Sequence, residues 1–580
     1  MISRIAISDI SPAVFFGGEF LPVKAIPGER LSISATAVIE GHEKLTAEIV
    51  LHSDNGKVVS RSAMVENWPG SNRFVGEVKI PAEGNFFFIV EADSVSQYRT
   101  VLGSSEKYPI RADRERALVG SWYEFFPRSE GAIKNRDGTV TSGTFKTAAH
   151  RIPAVAAMGF DVLYLPPIHP IGLSHRKGAN NSLTPKENDP GVPWAIGSSD
   201  GGHDAINPDL GTMVDFENFI SVANKNGIEV ALDLALQTSP DHPWVRSNPQ
   251  WFNKRPDGTI AYAENPPKKY QDIYPLNFDD DYEGLRDETL RVIRLWVSKG
   301  VKIFRVDNPH TKPVHFWQDL LGIMRIESPE VIFLAEAFTA PAMMHALGKA
   351  GFHQSYTYFT WRTSKSELID YGREVSTQTD AYFRPNFWVN TPDINPFHLH
   401  SGNPAVFALR AVLASTLSPS WGMYAGYELY EHLPFKLDGE EYLDSEKYQI
   451  KIRDWDGSAK KGITLAPFIS QLNNIRASNP ALLRLRNLVF HSTDSDSIIA
   501  YSKRDENNLI LVVVNLDPNY AQGTIVHWDM KSLGINGGNF EVEDLLDGSN
   551  FNWSPDTYVS LDPTRPVGKV AHICRVKIQV

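Results

Sequence analysis

Between about residues 116 and 482, eight short apolar runs alternate with longer amphipathic stretches such as VDFENFISVANKNG and YEGLRDETLRVIRLWVSKG. The runs are LVGSWYEF, FDVLYLPPI, IEVALDLAL, VKIFRVDN, VIFLAEAF, QSYTYFT, NFWVNT and SWGMYAGY. Several of the amphipathic stretches close on a Gly just before the next run, as a helix C-cap does. Parallel strands cannot be joined by tight turns and need a crossover, so eight strand-helix repeats predict an α/β fold, the (β/α)8 TIM barrel. The flanks have another texture. Residues 1–110 run as short stretches of alternating apolar and polar side chains, RLSISATAVI and RFVGEVKI among them, and strand texture returns from 483 to 580 in SIIAYSKR, LILVVVNL and HICRVKI. Both flanks are expected to be β-sandwiches, giving domains 1–110, 111–482 and 483–580.

Two connections are longer than a barrel needs: residues 168–212 after the second strand and 237–282 after the third, both rich in Pro, Gly, Asn, Trp and charge. Loops that follow barrel strands lie on the face where such barrels carry their sites, so these are expected to be lids. Composition narrows what lies beneath them. With 57 Lys and Arg against 69 Asp and Glu, the 580-residue chain has a net charge of -12. That excess repels phosphodiester backbones and anionic lipid, arguing against nucleic-acid and membrane partners, and an anionic ligand would need a local basic pocket. The single cysteine, Cys574, cannot form an intrachain disulfide, and no Cys/His spacing suggests a metal. No apolar run approaches the ~18 residues that cross a bilayer. A cytoplasmic protein is the expectation.

Asp307 closes VKIFRVD, Glu336 closes IFLAE, and Asp393 follows NFWVNTP. A carboxylate ending an apolar barrel strand is poorly placed for packing and well placed to face the barrel mouth. Any one of them reads equally as a helix N-cap or a salt-bridge partner. All three together, on the fourth, fifth and seventh strands, read as a catalytic set. Arg305 lies two residues before Asp307, on the same strand face, where it can hold Asp307 ionised.

The strings FRVDNPH, LAEAF and NFWVNTPD resemble the catalytic regions of the α-amylase superfamily, glycoside hydrolase family 13. The resemblance implies Asp307 as nucleophile, Glu336 as general acid/base and Asp393 as transition-state stabiliser of a retaining reaction. Two departures argue against a simple amylase. Gln237 and Thr238 stand where the third strand usually meets an Asn-His pair, and Asn390-Thr391-Pro392-Asp393 stands where the seventh usually ends Asn-His-Asp. SWYEFFPRS, PPIHPIG, HRKGANN, GGHDAINPDLGT, LQTSPDHPWV, NPPKKYQDIYPLNF and EYLDSEKYQ resemble instead the α-1,4-glucan:maltose-1-phosphate maltosyltransferases, from about 110 to 480 and more weakly in both flanks.

That subfamily implies transfer of maltosyl units from α-maltose 1-phosphate to an α-1,4-glucan, with release of phosphate. Its implied phosphate ligands are Asn265, Lys268, Tyr270 and Asn308, with Lys supplying charge and Asn and Tyr supplying directed hydrogen bonds. Its implied contacts to the maltosyl unit are Lys177, Gln237, Lys447 and Tyr448, and Arg305 is also expected among the substrate-binding residues. His203 and Asp204 resemble a pattern that supports the sugar site and read equally as a structural hydrogen bond, while His242 and His310 read as packing or supporting residues. Trp122, Trp194, Trp361 and Trp388 read as core aromatics more readily than as sugar platforms. In the subfamily a helical bundle interrupts the N-terminal sandwich and contributes to a homodimer. Here the strand expected to end near Tyr98 reaches Arg111 without room for a bundle, and a homodimer through the N-terminal sandwich and barrel is the expectation.

Overall fold

The computed structural model describes residues 4–41, 43–95, 100–265, 268–565 and 567–577. The chain divides into two units, Met1–Leu118 with Thr377–Arg384, and Val119–Ser376 with Pro385–Val580.

In the first unit, alternation of residue type becomes alternation of burial. Along the strand Arg30–Ile39, Leu31, Ile33, Ala35 and Ala37 are buried while Arg30 and Ser32 are exposed, the period of two that a pleated strand imposes. Their inward faces meet Ile49, Leu51, Phe88 and Val90 from the strands Thr46–Ser53 and Gly84–Val95 in one core. The residue Tyr98, where the sequence places the end of that last strand, lies outside the described residues. None of the described residues before Glu115 is helical. The segment Thr377–Arg384, distant in sequence, is strapped onto this sandwich. The Lys24 amide donates to the Ala381 carbonyl at 2.8 Å, and Arg384 donates to the Asp113 carboxylate at 2.7 Å and to the Ala25 carbonyl at 2.8 Å.

The second unit contains, among the described residues, eight parallel strands: β1 (Gly120–Glu124), β2 (Val162–Leu165), β3 (Glu229–Leu234), β4 (Ile303–Asp307), β5 (Ile332–Glu336), β6 (Gln354–Ser355), β7 (Phe387–Trp388) and β8 (Ser420–Tyr424). Neighbours pair in the order β6-β5-β4-β3-β2-β1-β8-β7. The ring closes where Ser355 bridges Pro385 in parallel and the Asn386 amide donates to the Ser355 carbonyl at 2.9 Å. The (β/α)8 barrel is therefore as the sequence predicts, with a strand inside each of the eight runs. QSYTYFT and NFWVNT are thinner than expected, two paired residues each, the former turning into a 3-10 helix at Tyr358–Trp361.

Strands β1, β2, β4, β5 and β8 are buried throughout, as strands covered on both faces must be. A typical crossover is Met213–Lys225. Thr212 caps it in a reciprocal box with Asp215, and Phe216, Phe219, Ile220 and Ala223 form its buried stripe.

The C-terminal sandwich runs from Leu488 to Val576. It covers Pro404–Leu417, a helix buried on almost every side, where Thr416 and Tyr501 share a 2.6 Å hydroxyl hydrogen bond. No helix among the described residues is long and apolar enough to cross a membrane.

Candidate active site

The connections that follow β2 and β3 are tied to each other. Asp241 of the second accepts from the Leu173 and Ser174 amides and the Ser174 hydroxyl of the first, each at 2.7 Å. Deeper down, the Trp244 amide donates to His242 Nδ1 at 3.0 Å, which leaves the His242 proton on Nε2. That proton goes to His203 Nδ1 at 3.0 Å, and His203 in turn donates from Nε2 to the Ala235 carbonyl at 2.8 Å. With both rings neutral every ring nitrogen is satisfied, and burial keeps them neutral, pushing His203 down to about 4 and His242 to about 2. This relay braces the turn beyond β3 that carries Gln237. Asp204 is bound instead by Arg291, at 2.7 Å.

Asp307 and Glu336 are the last residues of β4 and β5 and stand in register. Adjacent strands lie about 4.8 Å apart, so this pair suits the roughly 5–5.5 Å carboxyl spacing of a retaining mechanism. Both are buried. Arg305 lies beneath them, its Nη1 donating to Asp307 at 2.8 Å and to Asp233 at 2.9 Å, with Nη2 3.6 Å from Glu336. Three carboxylates thus share one guanidinium. Asp233, from β3, also accepts from the Tyr164 hydroxyl and from Trp194 Nε1. Burial above all, with Asp307 and Asp393 adding, pushes Glu336 up to about 8 against the opposing pull of Arg305 and of the Asn308 amide, which donates to Glu336 Oε2 at 3.1 Å. A carboxyl group that stays protonated at neutral pH thus faces one tied to an arginine, the division of labour that a general acid and a nucleophile require.

Asp393 stands beyond β7, in the turn Thr391–Ile394, its amide donating to Thr391 Oγ1 at 3.3 Å. Its carboxylate is ion-paired with Lys447. The backbone at Lys447 is clamped by buried Arg128, whose guanidinium donates to the carbonyls of Glu446 (2.5 Å), Lys447 (3.2 Å) and Gly191 (2.8 Å). The loop after β8 and the lid after β2 are thereby joined.

These groups open onto a cavity of about 620 Å³. Asp307, Glu336 and Asp393 line it, as do Lys177, Gln237, Tyr270, Asn308, Lys447 and Tyr448, while Arg305 lies under the floor rather than in the wall. The side chains of Asn265 and Lys268 lie outside the described residues; their backbones pair in the hairpin whose next strand residues carry Tyr270 to the cavity. His310 and Trp194 also line the cavity, whereas Trp122 and Trp388 are buried in the barrel interior. Among the lining residues that sequence reasoning does not single out are Asp272 and Lys312. Asp272, inside the charged string KKYQDIYP, looks like any solvated lid residue, yet it is 2% exposed, raised by its burial, and its Oδ1 has no hydrogen-bond partner.

A closed (β/α)8 barrel with in-register carboxylates at the ends of β4 and β5 defines the α-amylase class. Solved structures with this fold include an α-amylase from Lactobacillus plantarum, at TM-score 0.58 and 20% identity over 80% of this chain and 99% of that one. A cyclomaltodextrinase matches at TM-score 0.62 and 13% identity over 96% and 98%. The family model described as "GLGE, C-terminal" matches residues 490–576, and that for "Alpha-1,4-glucan:maltose-1-phosphate maltosyltransferase, domain N/S" matches residues 3–114. Alpha-1,4-glucan:maltose-1-phosphate maltosyltransferase 2 of Streptomyces coelicolor is 47% identical over 653 residues, covering 99% of this chain and 97% of its own. The enzyme of that name from Mycobacterium tuberculosis is 52% identical over 478 residues, 82% of this chain and 68% of its own. The chain belongs to the α-1,4-glucan:maltose-1-phosphate maltosyltransferase family. Its alignment with the Streptomyces relative is longer than its own 580 residues, so that relative carries residues without a counterpart here.

Proposed function

We propose that the chain transfers maltosyl units from α-maltose 1-phosphate to the non-reducing end of α-1,4-glucans, releasing phosphate, through a covalent β-maltosyl-enzyme. The observation that carries this reading is the in-register pair Asp307 and Glu336, in one cavity with Tyr270, Asn308, Lys177 and Lys447, in a chain whose relatives bear that name. In the first step the Asp307 carboxylate attacks C1, the bond from C1 to the phosphate oxygen breaks, and Glu336 gives its proton to the departing oxygen. In the second, the 4-hydroxyl of the glucan attacks C1, Glu336 takes its proton, and the bond from C1 to Asp307 breaks. Two inversions give net retention.

Tyr270 and Asn308, with Asn265 and Lys268, serve the phosphate, and Lys177, Gln237, Lys447 and Tyr448 serve the maltosyl unit. Asp393 acts most strongly as oxocarbenium character develops at the reacting sugar, a contact worth more in the transition state than in the ground state. This chemistry calls on no metal or organic cofactor. The chain is further read as a cytoplasmic homodimer, and sedimentation of the purified protein tests the dimer.

Incubation with α-maltose 1-phosphate and maltohexaose, following phosphate and oligosaccharide masses together, tests the activity. Phosphate release with products growing two glucose units at a time is expected. Shortening of maltohexaose without phosphate release would replace the transferase by a hydrolase or a disproportionating relative.

A further inference from the structure

We propose that Lys312 is a positioning residue for both halves of the reaction, its buried ammonium fixing the turn from which Asp307 and, through the Asn308 amide, Glu336 are aimed. The inference rests on the reaction proposed above and deepens it.

Immediately after the nucleophile the backbone enters the left-handed region, Asn308 having φ 43 and ψ 53. Such a conformation disfavours most side chains and is tolerated best by Asn after Gly. In this turn the Asn308 amide donates to Glu336 Oε2 at 3.1 Å, so the general acid is oriented by the residue that follows the nucleophile. The Asn308 carbonyl accepts three hydrogen bonds, from the Thr311 amide at 3.1 Å, the Thr311 hydroxyl at 2.8 Å and Lys312 Nζ at 3.2 Å. Lys312 Nζ also donates to the Asp307 carbonyl at 3.3 Å, so one ammonium holds both peptide groups of the turn.

The placement of that ammonium is costly. Lys312 is 8% exposed, and its hydrogen bonds go to carbonyls rather than to a carboxylate, whereas buried lysines are rare unless directly paired. What it gains is the field of its surroundings. Asp307, Glu336 and Asp233 attract the ammonium, Arg305 repels it, and the neighbouring His310 is also within its field. Glu336 in turn faces Arg305, Asp307 and Asp393. Asp233, Asp307 and Glu336 are thus set against two buried cations with Lys312 in place and against one without it. A phosphate monoester entering this cavity adds negative charge and makes the second cation matter more.

The test compares Lys312→Met, Lys312→Gln and Lys312→Arg with the wild type, using the pH profile of phosphate release as the readout. Removing a cation makes a nearby carboxyl hold its proton more tightly. Lys312→Met should therefore lower kcat by about tenfold or more, with a smaller change in KM, and move the alkaline limb upward by about one pH unit. Lys312→Gln, a donor without charge, should recover part of kcat and keep the displaced limb; Lys312→Arg should keep the limb near its wild-type place. Wild-type limbs in both neutral variants would overturn the proposal, because a merely structural lysine would cost activity without moving them. Should Lys312→Met fail to fold, Lys312→Gln carries the reading. A second measurement needs no turnover: infrared titration of the Glu336 carboxyl in ligand-free protein, assigned by difference against Glu336→Gln. An upward shift of its midpoint in the neutral variants supports the role, and an unmoved midpoint sinks it. If wild type released no phosphate from maltose 1-phosphate, the reaction would be wrong, and the infrared midpoint would still decide what Lys312 does.

Discussion

The guanidinium of Arg305 donates to Asp307 at 2.8 Å from the same nitrogen that donates to Asp233 at 2.9 Å. The charge of Asp307, the proposed nucleophile, is thus balanced from below by Arg305. Replacing Arg305 by Met would leave Asp233, Asp307 and Glu336 in a buried site whose remaining cation makes no direct pair. Breaking a buried ion pair on one side costs about 3–5 kcal/mol. Arg305→Met is expected to unfold at markedly lower denaturant and to lose phosphate release. Denaturant titration beside the activity assay checks both, and wild-type stability would show that the cluster relaxes without its cation.

The raised proton affinity of Glu336 predicts a pH dependence for the proposed reaction. Its folded value is pushed up to about 8, above that of a free carboxyl group, and the first step as proposed above needs the protonated form. The protonated fraction is complete at lower pH and is lost as pH rises through that value. Single-turnover phosphate release from the donor should therefore decline above about pH 8, and Glu336→Gln should abolish turnover. A profile that remains flat to pH 10 would remove Glu336 as the acid of this step.

What could be read beforehand follows from where a polar residue interrupts an apolar pattern. Asp307 and Glu336 each close a mainly apolar run, and although either alone could be a cap or an ion-pair partner, the set they form with Asp393 points to the barrel mouth. Asp233 has the same signature, but ALDLAL runs on through apolar residues beyond it, so the strand end is hidden and the Asp passes as interior. Lys312 in NPHTKP and Asp272 in KKYQDIYP sit among turn formers and charge, where burial comes only from tertiary packing. The strap Thr377–Arg384 escaped for a related reason. Arg384 donates to Asp113 and Ala25, the Ala381 carbonyl accepts from the Lys24 amide, and Ala381 and Tyr382 pack against the sandwich core, and contacts of this kind impose no period on the sequence.

The lid relay is sensitive to a single methyl group. A Cβ on Gly202 would lie 2.3 Å from His242 Nε2, the atom that donates to His203, and one on Gly197 would lie 2.3 Å from His242 Cδ2. Gly197 also has φ +108, a conformation that strains any other residue. Gly202→Ala must displace the ring and break the hydrogen bond, a loss of about 1–3 kcal/mol for an overpacked core site. Because that ring braces the turn holding Gln237, KM for the donor should rise as well. Thermal unfolding and donor titration would show both, and an unchanged KM would separate the lid packing from the sugar site.

Asp272 is the cavity residue whose role is most open to measurement. It is 2% exposed with one carboxylate oxygen unpartnered, and Lys177 and Lys447 are the cations nearest to it in effect. An unpaired acceptor buried in a cavity wall is costly until a donor arrives, and a sugar hydroxyl is such a donor. Asp272→Asn keeps the shape, removes the charge and turns one acceptor into a donor. Loss of a hydrogen bond to a charged group costs about 1.5–3 kcal/mol, so KM for maltose 1-phosphate should rise roughly ten- to a hundredfold with a smaller change in kcat. The melting temperature should hold or rise, because an unsatisfied carboxyl group has been neutralised. A fall in melting temperature with an unchanged KM would reverse the assignment, making Asp272 a brace for the lid hairpin and leaving the sugar to Lys177 and Lys447.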